Sequence, residues 1–456
     1  MLLNALQHSA KINPKKIAII DAHSKIKVTY DEIIQIFNAG KGYYVDKAVG
    51  IVISIGEPTI HDLPFLISIG QSDGVWIPLA DDDHIKEIVH FFSNENILII
   101  EKNGDRKYLK KSKKEKTTKQ EINPPFLITF SSGTTGVAKG IILSQSKKLE
   151  RIKQSISLFG LTGKDTIISN SPIYHSMGQK LLFTSLKLGA TLVRNVPFSP
   201  AVWMDACQTY QPSFGIPVST QMALLKETKE NYLASFFSFR AIVMSSASAS
   251  IEFKKHLLKQ KIDIWETFGC SEAAFISASK ITVEENDHVG GLIDDVEIKI
   301  NSENSEILVK TPYLCDGYFN GRKTWESALT SDKFFKTGDI GEIRGKKLFF
   351  RGRLGLEFLI GPYKVNPIEL EFVVKNTILN SEVVIVPVEN SFFSNTIGMY
   401  LKKNGQACNE VELYDDLKNL LPKHLLPTKI KIIESWPLLP NGKIDRQRLI
   451  QRMNNK

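Results

Sequence analysis

The sequence has 456 residues, of which 42% are hydrophobic and 23% charged, which is typical of a folded chain with more than one domain and excludes a disordered or fibrous protein. The net charge is +9, but residues 106–119 carry eight basic and one acidic residue and so supply +7 of it, which excludes a general nucleic-acid-binding character. No apolar run reaches the roughly 18 residues of a membrane helix and the start of the chain lacks a signal-peptide pattern, so we expect a cytoplasmic protein without a membrane partner.

Short apolar strands alternate with helical patterns through the first part of the chain. Strands are predicted at residues 47–55 and 75–79, and helices around residues 30–38 and 83–93. The basic run 106–119 has almost no apolar content and is predicted to be a solvated loop. After it, a strand at residues 126–130 leads into a small-residue loop, and the alternation then continues to about residue 265. This texture predicts layered α/β structure.

The pattern of apolar and polar residues changes in the last third of the sequence. From about residue 296 the apolar residues alternate with period two, which predicts antiparallel β structure. From residue 368 onward helices and strands are mixed. We therefore expect an α/β protein with a large N-terminal domain, residues 1–353, built of layered α/β subdomains and a small β-rich subdomain. A small α+β domain, residues 354–456, follows it.

The loop SSGTTGVAKG, residues 131–140, is the strongest chemical motif in the sequence. Hydroxyl groups, unhindered backbone amides and one lysine are the groups that polyphosphate oxygens require. The common P-loop pattern does not fit, because Lys139 is followed by Gly140 rather than by serine or threonine. A different class of nucleotide-binding site is therefore predicted. The predicted phosphate-binding residues are Ser131, Ser132, Gly133, Thr134, Thr135, Gly136 and Lys139.

This loop resembles the phosphate loop of the adenylate-forming (ANL) superfamily, which contains acyl-CoA synthetases, acyl- and aryl-carrier-protein ligases, amino-acid adenylation domains and luciferases. Four further motifs follow in the order of that superfamily. They are FGCSE at residues 268–272, TGD at 337–339, GR at 352–353 and PNGKIDR at 440–446. Five ordered matches across most of the chain identify it as a member of the superfamily.

The resemblance implies an ATP- and Mg²⁺-dependent enzyme with a mobile C-terminal lid domain that carries the catalytic lysine. It also assigns roles to the motif residues. Phe268 would stack on adenine, Ser271 would meet phosphate, and Glu272 would hold Mg²⁺, with Gly269 as a further nucleotide-binding residue of the motif. Asp339 would bind the ribose hydroxyls and Arg353 ribose or phosphate. Lys443 would be the catalytic lysine of the C-terminal domain, with Lys139 and Glu272 as the other catalytic residues.

The expected reaction explains why these residue types occur together. A carboxylate attacks the α-phosphate of ATP and pyrophosphate leaves, so two anions approach each other and cations are needed around them. Lys139 would hold the β- and γ-phosphates, and Lys443 would neutralise the carboxylate and the α-phosphate. No general base is required, because a carboxylic acid is already ionised at pH 7. No nucleophilic role is expected for Cys270.

Two positions depart from the superfamily pattern after the GR pair. Leu354 stands where an aspartate is frequent, and Pro362 occupies a turn that usually contains glycine. Proline fixes φ and removes a backbone donor beside the expected pantetheine path. The thioester-forming step is therefore the one that these changes affect.

A few residues bear on the acid substrate. His175 stands where amino-acid-activating members carry an aspartate for the α-amine, so a plain carboxylic acid is favoured over an α-amino acid. His175 is predicted either to line the acyl pocket or to be a core histidine. Thr267 is expected to narrow the pocket and Ser246 to give it a small polar wall. Together they favour a short or aromatic acid.

Three functions remain open from the sequence. The first is a ligase that forms an acyl-AMP and transfers the acyl group to the phosphopantetheine thiol of a carrier protein, which the NGKIDR form of the lysine loop favours. The second uses the same residues with free CoA as the acceptor. The third is a nucleotide-binding protein without catalytic activity, which the altered segment after the GR pair suggests.

Overall fold

The computed structural model describes residues 2–110, 125–131, 139–228, 231–245, 251–282, 288–375, 382–390, 394–402, 410–439 and 444–455. The chain forms two compact units. The larger unit contains Met1–Glu297 and Val309–Phe335, and the smaller unit contains Ile298–Leu308 and Lys336–Lys456. The domain boundary predicted between Arg353 and Leu354 stays a prediction.

The described α-helices and strands are numbered in chain order. The helices are α1 (Leu2–Ile12), α2 (Tyr30–Asp46), α3 (Asp62–Ser68), α4 (Ile85–Phe91), α5 (Gln145–Phe159), α6 (Ser176–Leu188), α7 (Pro200–Tyr210), α8 (Ser219–Thr228), α9 (Ile251–Lys259), α10 (Arg322–Ser327), α11 (Pro367–Val374), α12 (Glu410–Leu420) and α13 (Arg446–Asn454). The strands are β1 (Ile17–Asp21), β2 (Lys27–Thr29), β3 (Val49–Ile55), β4 (Val75–Leu79), β5 (Asn96–Ile100), β6 (Arg106–Leu109), β7 (Pro125–Ser131), β8 (Lys139–Ser144), β9 (Thr166–Ser169), β10 (Thr191–Arg194), β11 (Phe214–Gly215), β12 (Ala241–Ser245), β13 (Asp263–Cys270), β14 (Ala274–Lys280), β15 (Glu297–Ile300), β16 (Glu306–Lys310), β17 (Gly317–Tyr318), β18 (Phe335–Arg344), β19 (Lys347–Arg353), β20 (Phe358–Ile360), β21 (Tyr363–Val365), β22 (Val383–Asn390), β23 (Ser394–Lys402) and β24 (Pro427–Ile433). Short 3₁₀ helices lie at Ile69–Ser72, Tyr232–Phe236 and Lys423–Leu425.

The described residues of the larger unit contain two large sheets. One has the strand order β14-β13-β12-β11-β9-β10-β1-β2, and the other has the order β17-β8-β7-β4-β3-β5-β6. Most neighbours in the first sheet are parallel, with antiparallel pairs at both edges. Helices α1, α2, α5 and α6 share one buried apolar core with strands of both sheets, as Leu181 and Phe183 of α6 illustrate. The helices that carry site residues are therefore rigidly packed.

Helix α5 has well-defined ends that fix the position of its side chains. The Ser144 hydroxyl accepts a hydrogen bond from the Lys147 amide at 3.3 Å, which is a typical N-cap contact. The helix ends at Gly160, which has φ of +56°, a left-handed conformation that glycine adopts without cost. Because β8 leads directly into this helix, the strand after the phosphate loop and the first turns of α5 are held together.

The smaller unit contains the antiparallel structure that the period-two pattern predicts. Strands β18 and β19 pair antiparallel in a sheet of order β15-β16-β18-β19, and β20 and β21 form a hairpin. A further sheet has the order β22-β23-β24, and α11 and α13 both contact β22. The mixed α/β fold class, with a large first and a small second unit, is confirmed.

The structure differs from the sequence prediction at two strand ends. The start of the basic run is not a loop, because Arg106–Leu109 forms β6 and pairs antiparallel with β5. The Arg106 guanidinium lies 4.5 Å from the centroid of the Phe65 ring, so aromatic contact and edge pairing outweigh the local charge density. Lys139 and Gly140, predicted to lie in the phosphate loop, belong to β8. Residues 111–124 lie outside the described part.

Within the described residues, no helix has the length and apolar character needed to cross a membrane. Cys207, Cys270 and Cys315 form no disulfide. Cys408 lies outside the described residues.

Candidate functional site

The β13–β14 hairpin carries the FGCSE motif. Phe268, Gly269 and Cys270 end β13, and Ser271 and Glu272 stand in the turn that follows. The strand pairing shifts between Phe268 and Gly269. A Cβ atom on Gly269 would lie 2.1 Å from the carbonyl oxygen of Ala274, so only glycine permits this close approach of the two strands.

Arg151 on α5 holds the turn that presents Glu272. Its Nη1 donates a 2.8 Å hydrogen bond to the carbonyl of Ser271, its Nη2 donates to the carbonyl of Glu272, and its Nε donates to the carbonyl of Tyr313 at 2.8 Å. The amide of Cys315 donates to the same Glu272 carbonyl at 2.8 Å. Arg151 is buried, so these bonds fix the turn in a low-dielectric setting. The sequence analysis did not identify this arginine.

Tyr318 connects two of the predicted catalytic residues. Its hydroxyl donates a 3.0 Å hydrogen bond to Oε1 of Glu272, and the Lys139 ammonium lies 5.2 Å from the centroid of its ring. Strand pairing fixes this arrangement, because Tyr318 of β17 stands opposite Ile141 of β8, two residues after Lys139. Burial raises the pKa of Tyr318 far above its usual range, and the neighbouring Glu272 raises it further. The phenol is therefore a hydrogen-bond donor throughout the physiological pH range.

The structure also describes the two ends of the predicted phosphate loop. Ser131, the last residue of β7, stands opposite Lys139, the first residue of β8. The hydroxyl oxygen of Ser271 lies 3.1 Å from that of Ser176, which is the first residue of α6. The loop residues Ser132, Gly133, Thr134, Thr135 and Gly136 lie outside the described residues.

Glu272 is suited to Mg²⁺ that arrives with a polyphosphate. A carboxylate has about four acceptor positions, and the Tyr318 hydroxyl uses one of them. The described residues contain no group of three or more histidine, cysteine or acidic side chains that could hold a metal by themselves. Mg²⁺ is usually bound by one or two carboxylates together with phosphate oxygens and water. Glu272 therefore fits an Mg²⁺ ion that is bound mainly by the nucleotide, rather than one bound entirely by protein side chains.

The TGD and GR motifs lie opposite each other in the smaller unit. Asp339 of β18 pairs with Arg353 of β19, and Oδ1 of the aspartate lies 3.8 Å from Nη1 of the arginine. Gly338 has φ of +73°, and its amide donates to Oε1 of Glu306 at 2.9 Å. The Thr337 hydroxyl donates to the carbonyl of Ile307 at 2.7 Å. These contacts hold the Asp339 backbone in place and leave the Arg353 side chain partly exposed.

The lysine loop is anchored at both ends, although Lys443 and the other residues of 440–443 lie outside the described part. Leu438 and Ile444 form an antiparallel bridge across the loop, and the Asp445 amide donates to the carbonyl of Pro437 at 2.8 Å. The next residue, Arg446, makes two hydrogen bonds with Glu371 of α11, at 2.7 and 2.6 Å. Such a two-point contact fixes both position and orientation.

The residues predicted to contact the substrate have separate local environments. His175 precedes α6, and its ring centroid lies 4.6 Å from that of Tyr174. Thr267 is buried on β13, where its hydroxyl donates to the carbonyl of Met244 at 3.3 Å. Ser246 lies outside the described residues. Their roles toward a substrate stay predictions.

The loop before His175 is fixed by a buried ion pair that the sequence did not reveal. Glu57 accepts a hydrogen bond from the Ile173 amide at 2.8 Å and forms an ion pair with Arg194. Burial raises the pKa of Glu57, and the charge of Arg194 opposes this shift. The pair connects the end of β10 with the segment that leads into α6.

The segment after the GR pair is turn-rich. Gly355 has φ of +81°, with nothing near the position of a Cβ atom. Pro362 and Gly361 form the two-residue turn between β20 and β21, where Gly361 has φ of +55°. Pro362 occupies a turn position without a ladder hydrogen bond, which proline tolerates.

Sequence comparisons show which known proteins this chain is similar to. The family model described as AMP-binding enzyme matches residues 76–319, which is more than half of the chain. The chain is 25% identical over 331 residues to the putative long chain fatty acid-CoA ligase VraA of Staphylococcus aureus, covering 71% of this chain and 70% of that protein. It is 26% identical over 335 residues to 2-succinylbenzoate--CoA ligase of Staphylococcus epidermidis, covering 71% of this chain and 69% of that protein.

A solved structure extends the fold similarity to nearly the whole chain. O-succinylbenzoate coenzyme A synthetase from Bacillus subtilis, in complex with ATP and magnesium ion, superposes with a TM-score of 0.78 at 18% identity. The superposition covers 99% of both chains. At 18% identity, this structural similarity establishes the fold alone.

Proposed function

Because the chain belongs to the AMP-binding enzyme family, and with it to the adenylate-forming superfamily, we propose that it joins a non-amino carboxylic acid to a thiol through an acyl-AMP. It is an adenylating enzyme of the acyl- or aryl-CoA ligase type. The observation that carries the proposal is the contact of Tyr318 with both Glu272 and Lys139. This contact brings a cation and a potential Mg²⁺ ligand together beside the phosphate loop.

In the first half-reaction, a carboxylate oxygen of the acid forms a bond to the α-phosphorus of ATP. The bond from that phosphorus to the β-phosphate oxygen breaks, and pyrophosphate leaves. Lys139 orients the β- and γ-phosphates through its charge, and Arg151 keeps the Glu272 turn in place. Mg²⁺ held by Glu272 would screen the charge of the phosphate oxygens.

The remaining assignments rest on the family motifs. Lys443 neutralises the carboxylate and α-phosphate in the transition state, and Asp339 and Arg353 hold the ribose. Phe268 stacks on adenine. In the second half-reaction, a thiol sulfur attacks the acyl carbon, the bond to AMP breaks, and the thiol proton goes to solvent or to the released AMP.

The proposed acceptor is free CoA, which is supported by the names of the relatives as CoA ligases. The phosphopantetheine arm of a carrier protein is the second candidate, and the NGKIDR sequence around Lys443 supports it. Both thiols end in the same phosphopantetheine arm. The first half-reaction is identical for both.

ATP–pyrophosphate exchange with a panel of carboxylic acids tests the adenylation step. We expect exchange that depends on a non-amino acid, and no exchange with the matching α-amino acids. An ammonium group would have to lose its water in a pocket where His175 supplies no negative charge, at a cost of several kcal/mol. Exchange that is faster with an amino acid than with its deaminated analogue would contradict the proposal.

Matched variants separate the site from general effects on the protein. Glu272→Gln is compared with Glu326→Gln, because Glu326 is an exposed residue of α10 that pairs with Arg322. Lys139→Ala is compared with Lys153→Ala, because Lys153 is an exposed residue of α5. Loss of exchange in the first member of each pair alone is the expected result. Equal loss in both members would refute the site.

A side-by-side assay with radiolabelled acid, CoA and a holo-carrier protein at equal concentrations tests the acceptor. Faster formation of acyl-CoA supports CoA, and faster acylation of the carrier supports the second candidate. Formation of acyl-AMP without either thioester would contradict a ligase function for this chain.

A further inference from the structure

A small cavity in the larger unit lies between α5, α6 and the β13–β14 hairpin. Its volume is about 20 Å³, and its wall includes Lys148, Arg151, Lys180, Ser176 and Ser271. A cavity of this size holds one or two water molecules, or the two oxygens of one carboxylate. Three of these five side chains are cationic, and two carry hydroxyl groups.

The two lysines of the cavity have aromatic neighbours but no carboxylate. Lys148 is only 3% exposed, and its ammonium lies 4.9 Å from the centroid of the Phe183 ring. The Lys180 ammonium lies 3.4 Å from the centroid of the Phe275 ring. Within the described part of the chain, neither ammonium forms an ion pair or a hydrogen bond.

Arg151 does not supply the missing negative charge and adds a third positive one. Its donors are directed at the carbonyl groups of Tyr313, Ser271 and Glu272. Carbonyl dipoles satisfy its hydrogen bonds, and Glu272 and Asp316 lie near enough to interact with its charge. The two lysines are therefore the cationic groups of the cavity that form no ion pair among the described residues.

Buried cations without a partner are costly to a protein. Taking an unpaired ammonium out of water is unfavourable, and the group usually gives up its proton instead. Burial, followed by the charge of Arg151, lowers the pKa of Lys180 to about 7, with Cys270 acting in the opposite direction. Burial, followed by the charges of Arg151 and Lys180, lowers the pKa of Lys148 well below its usual range. Two methionines would fill the same space without this cost.

We propose that Lys148 and Lys180 bind the second, non-reacting carboxylate of a dicarboxylic acid substrate in this cavity. The proposal rests on the proposed function and deepens it. Each ammonium donates to one carboxylate oxygen, and the hydroxyl groups of Ser176 and Ser271 line the remaining wall.

The position of the cavity favours a substrate group over a free ion. Ser271 immediately precedes Glu272, the proposed Mg²⁺ ligand, and Ser176 immediately follows His175, the predicted wall of the acyl pocket. Two residues that line the cavity are thus sequence neighbours of residues predicted to contact the phosphates and the acyl group. A diacid can place one carboxylate at the reacting phosphorus and the other in the cavity.

The test is ATP–pyrophosphate exchange with a series of α,ω-dicarboxylic acids of increasing length and with the monomethyl ester of each. For at least one length we expect a KM for the diacid that is about 30-fold or more below that of its ester, since the ester lacks a charge that the site desolvates and pairs. Lys148→Met and Lys180→Met should raise that KM by a similar factor and leave the KM of the ester within threefold. Lys153→Met, on the exposed side of the same helix, should change neither value.

Several outcomes would overturn the proposal. One is a diacid and its ester with KM values within threefold for every length. Another is a set of lysine variants that weaken both compounds equally, which would indicate a structural role. Thermal unfolding provides a check on folding, because methionine in place of an uncompensated buried lysine should preserve or raise Tm.

Thermal shift with the diacids and with acetate separates the inference from the proposed function. If no acid supports exchange, the proposed adenylation fails, and ligand binding decides the inference by itself. A rise in Tm that requires the diacid and disappears in Lys148→Met and Lys180→Met supports it. An equal rise with acetate, or no rise with any acid, would overturn it.

Discussion

The hydroxyl of Tyr318 donates a 3.0 Å hydrogen bond to Oε1 of Glu272, while the Lys139 ammonium lies over the ring of the same tyrosine. Tyr318 therefore orients the Glu272 carboxylate through its hydroxyl and contacts Lys139 through the face of its ring. The two roles use different parts of the side chain and can be separated by mutation.

Tyr318→Phe removes the hydroxyl and keeps the ring. We expect the Mg²⁺ concentration for half-maximal ATP–pyrophosphate exchange to rise about 10-fold, because residues that orient a metal ligand typically contribute this much to metal affinity. The KM for ATP should change less, since the Lys139 contact with the ring is retained. Tyr108→Phe, whose hydroxyl donates to the carbonyl of Lys47, is the matched control. An unchanged Mg²⁺ requirement would show that Tyr318 does not act through Glu272.

Lys443→Ala should nearly abolish formation of the acyl-AMP. One positive charge at the α-phosphate is worth about 3 to 4 kcal/mol, or a factor on the order of 10² to 10³ in rate. Supplied with preformed acyl-AMP and a thiol, the same variant should keep most of its thioester-forming activity. Single-turnover assays of each half-reaction measure both effects. Equal losses in the two assays would contradict separate roles for the lysine.

Arg446→Ala should reduce adenylation by loosening the loop that ends at Lys443. Its two hydrogen bonds to Glu371 attach the residues after the loop to α11. We expect about 10-fold slower exchange and no rescue by Arg446→Lys, because lysine cannot make the bidentate contact. In the Lys443→Ala background the same change should have no further effect on exchange. An additive loss there would mean that Arg446 acts independently of the lysine loop.

The free energy of unfolding should rise with pH between about 7 and 10, and Lys180→Met should flatten this rise. The pKa of Lys180 is about 7 in the folded protein and near 10.5 when unfolded, so the unfolded chain binds one more proton in this interval. Stability then increases by up to about 1.4 kcal/mol per pH unit for this group, and the gain is lost as pH falls from about 10 to 7. Lys148, Arg151 and Cys270 face the same group, and Lys148 adds to the slope in the same direction. Urea unfolding at several pH values without any diacid measures the difference, and parallel profiles would refute it.

The sequence predicted the elements whose information is local. Apolar runs at β3, β4 and β7 and the motif around Glu272 could be identified without a structure, because each occupies consecutive residues. Arg151 and Tyr318 could not, because they reach Glu272 from 121 and 46 residues away and neither belongs to a recognisable pattern. Local charge also misled the prediction at Arg106, where pairing with β5 and contact with Phe65 decide the conformation.

The bridge between Leu438 and Ile444 limits the movement of Ile444, the neighbour of the predicted catalytic residue Lys443. Lys443 is bonded to Ile444, so their Cα atoms are about 3.8 Å apart whatever the loop does. The bridge connects Ile444 to the segment before the loop, and the hydrogen bonds of Arg446 to Glu371 connect it to α11. Any displacement of Lys443 beyond the reach of its own side chain therefore has to be shared by several secondary-structure elements at once. Viscosity of the medium, rather than local loop flexibility, should then set the speed of such a displacement.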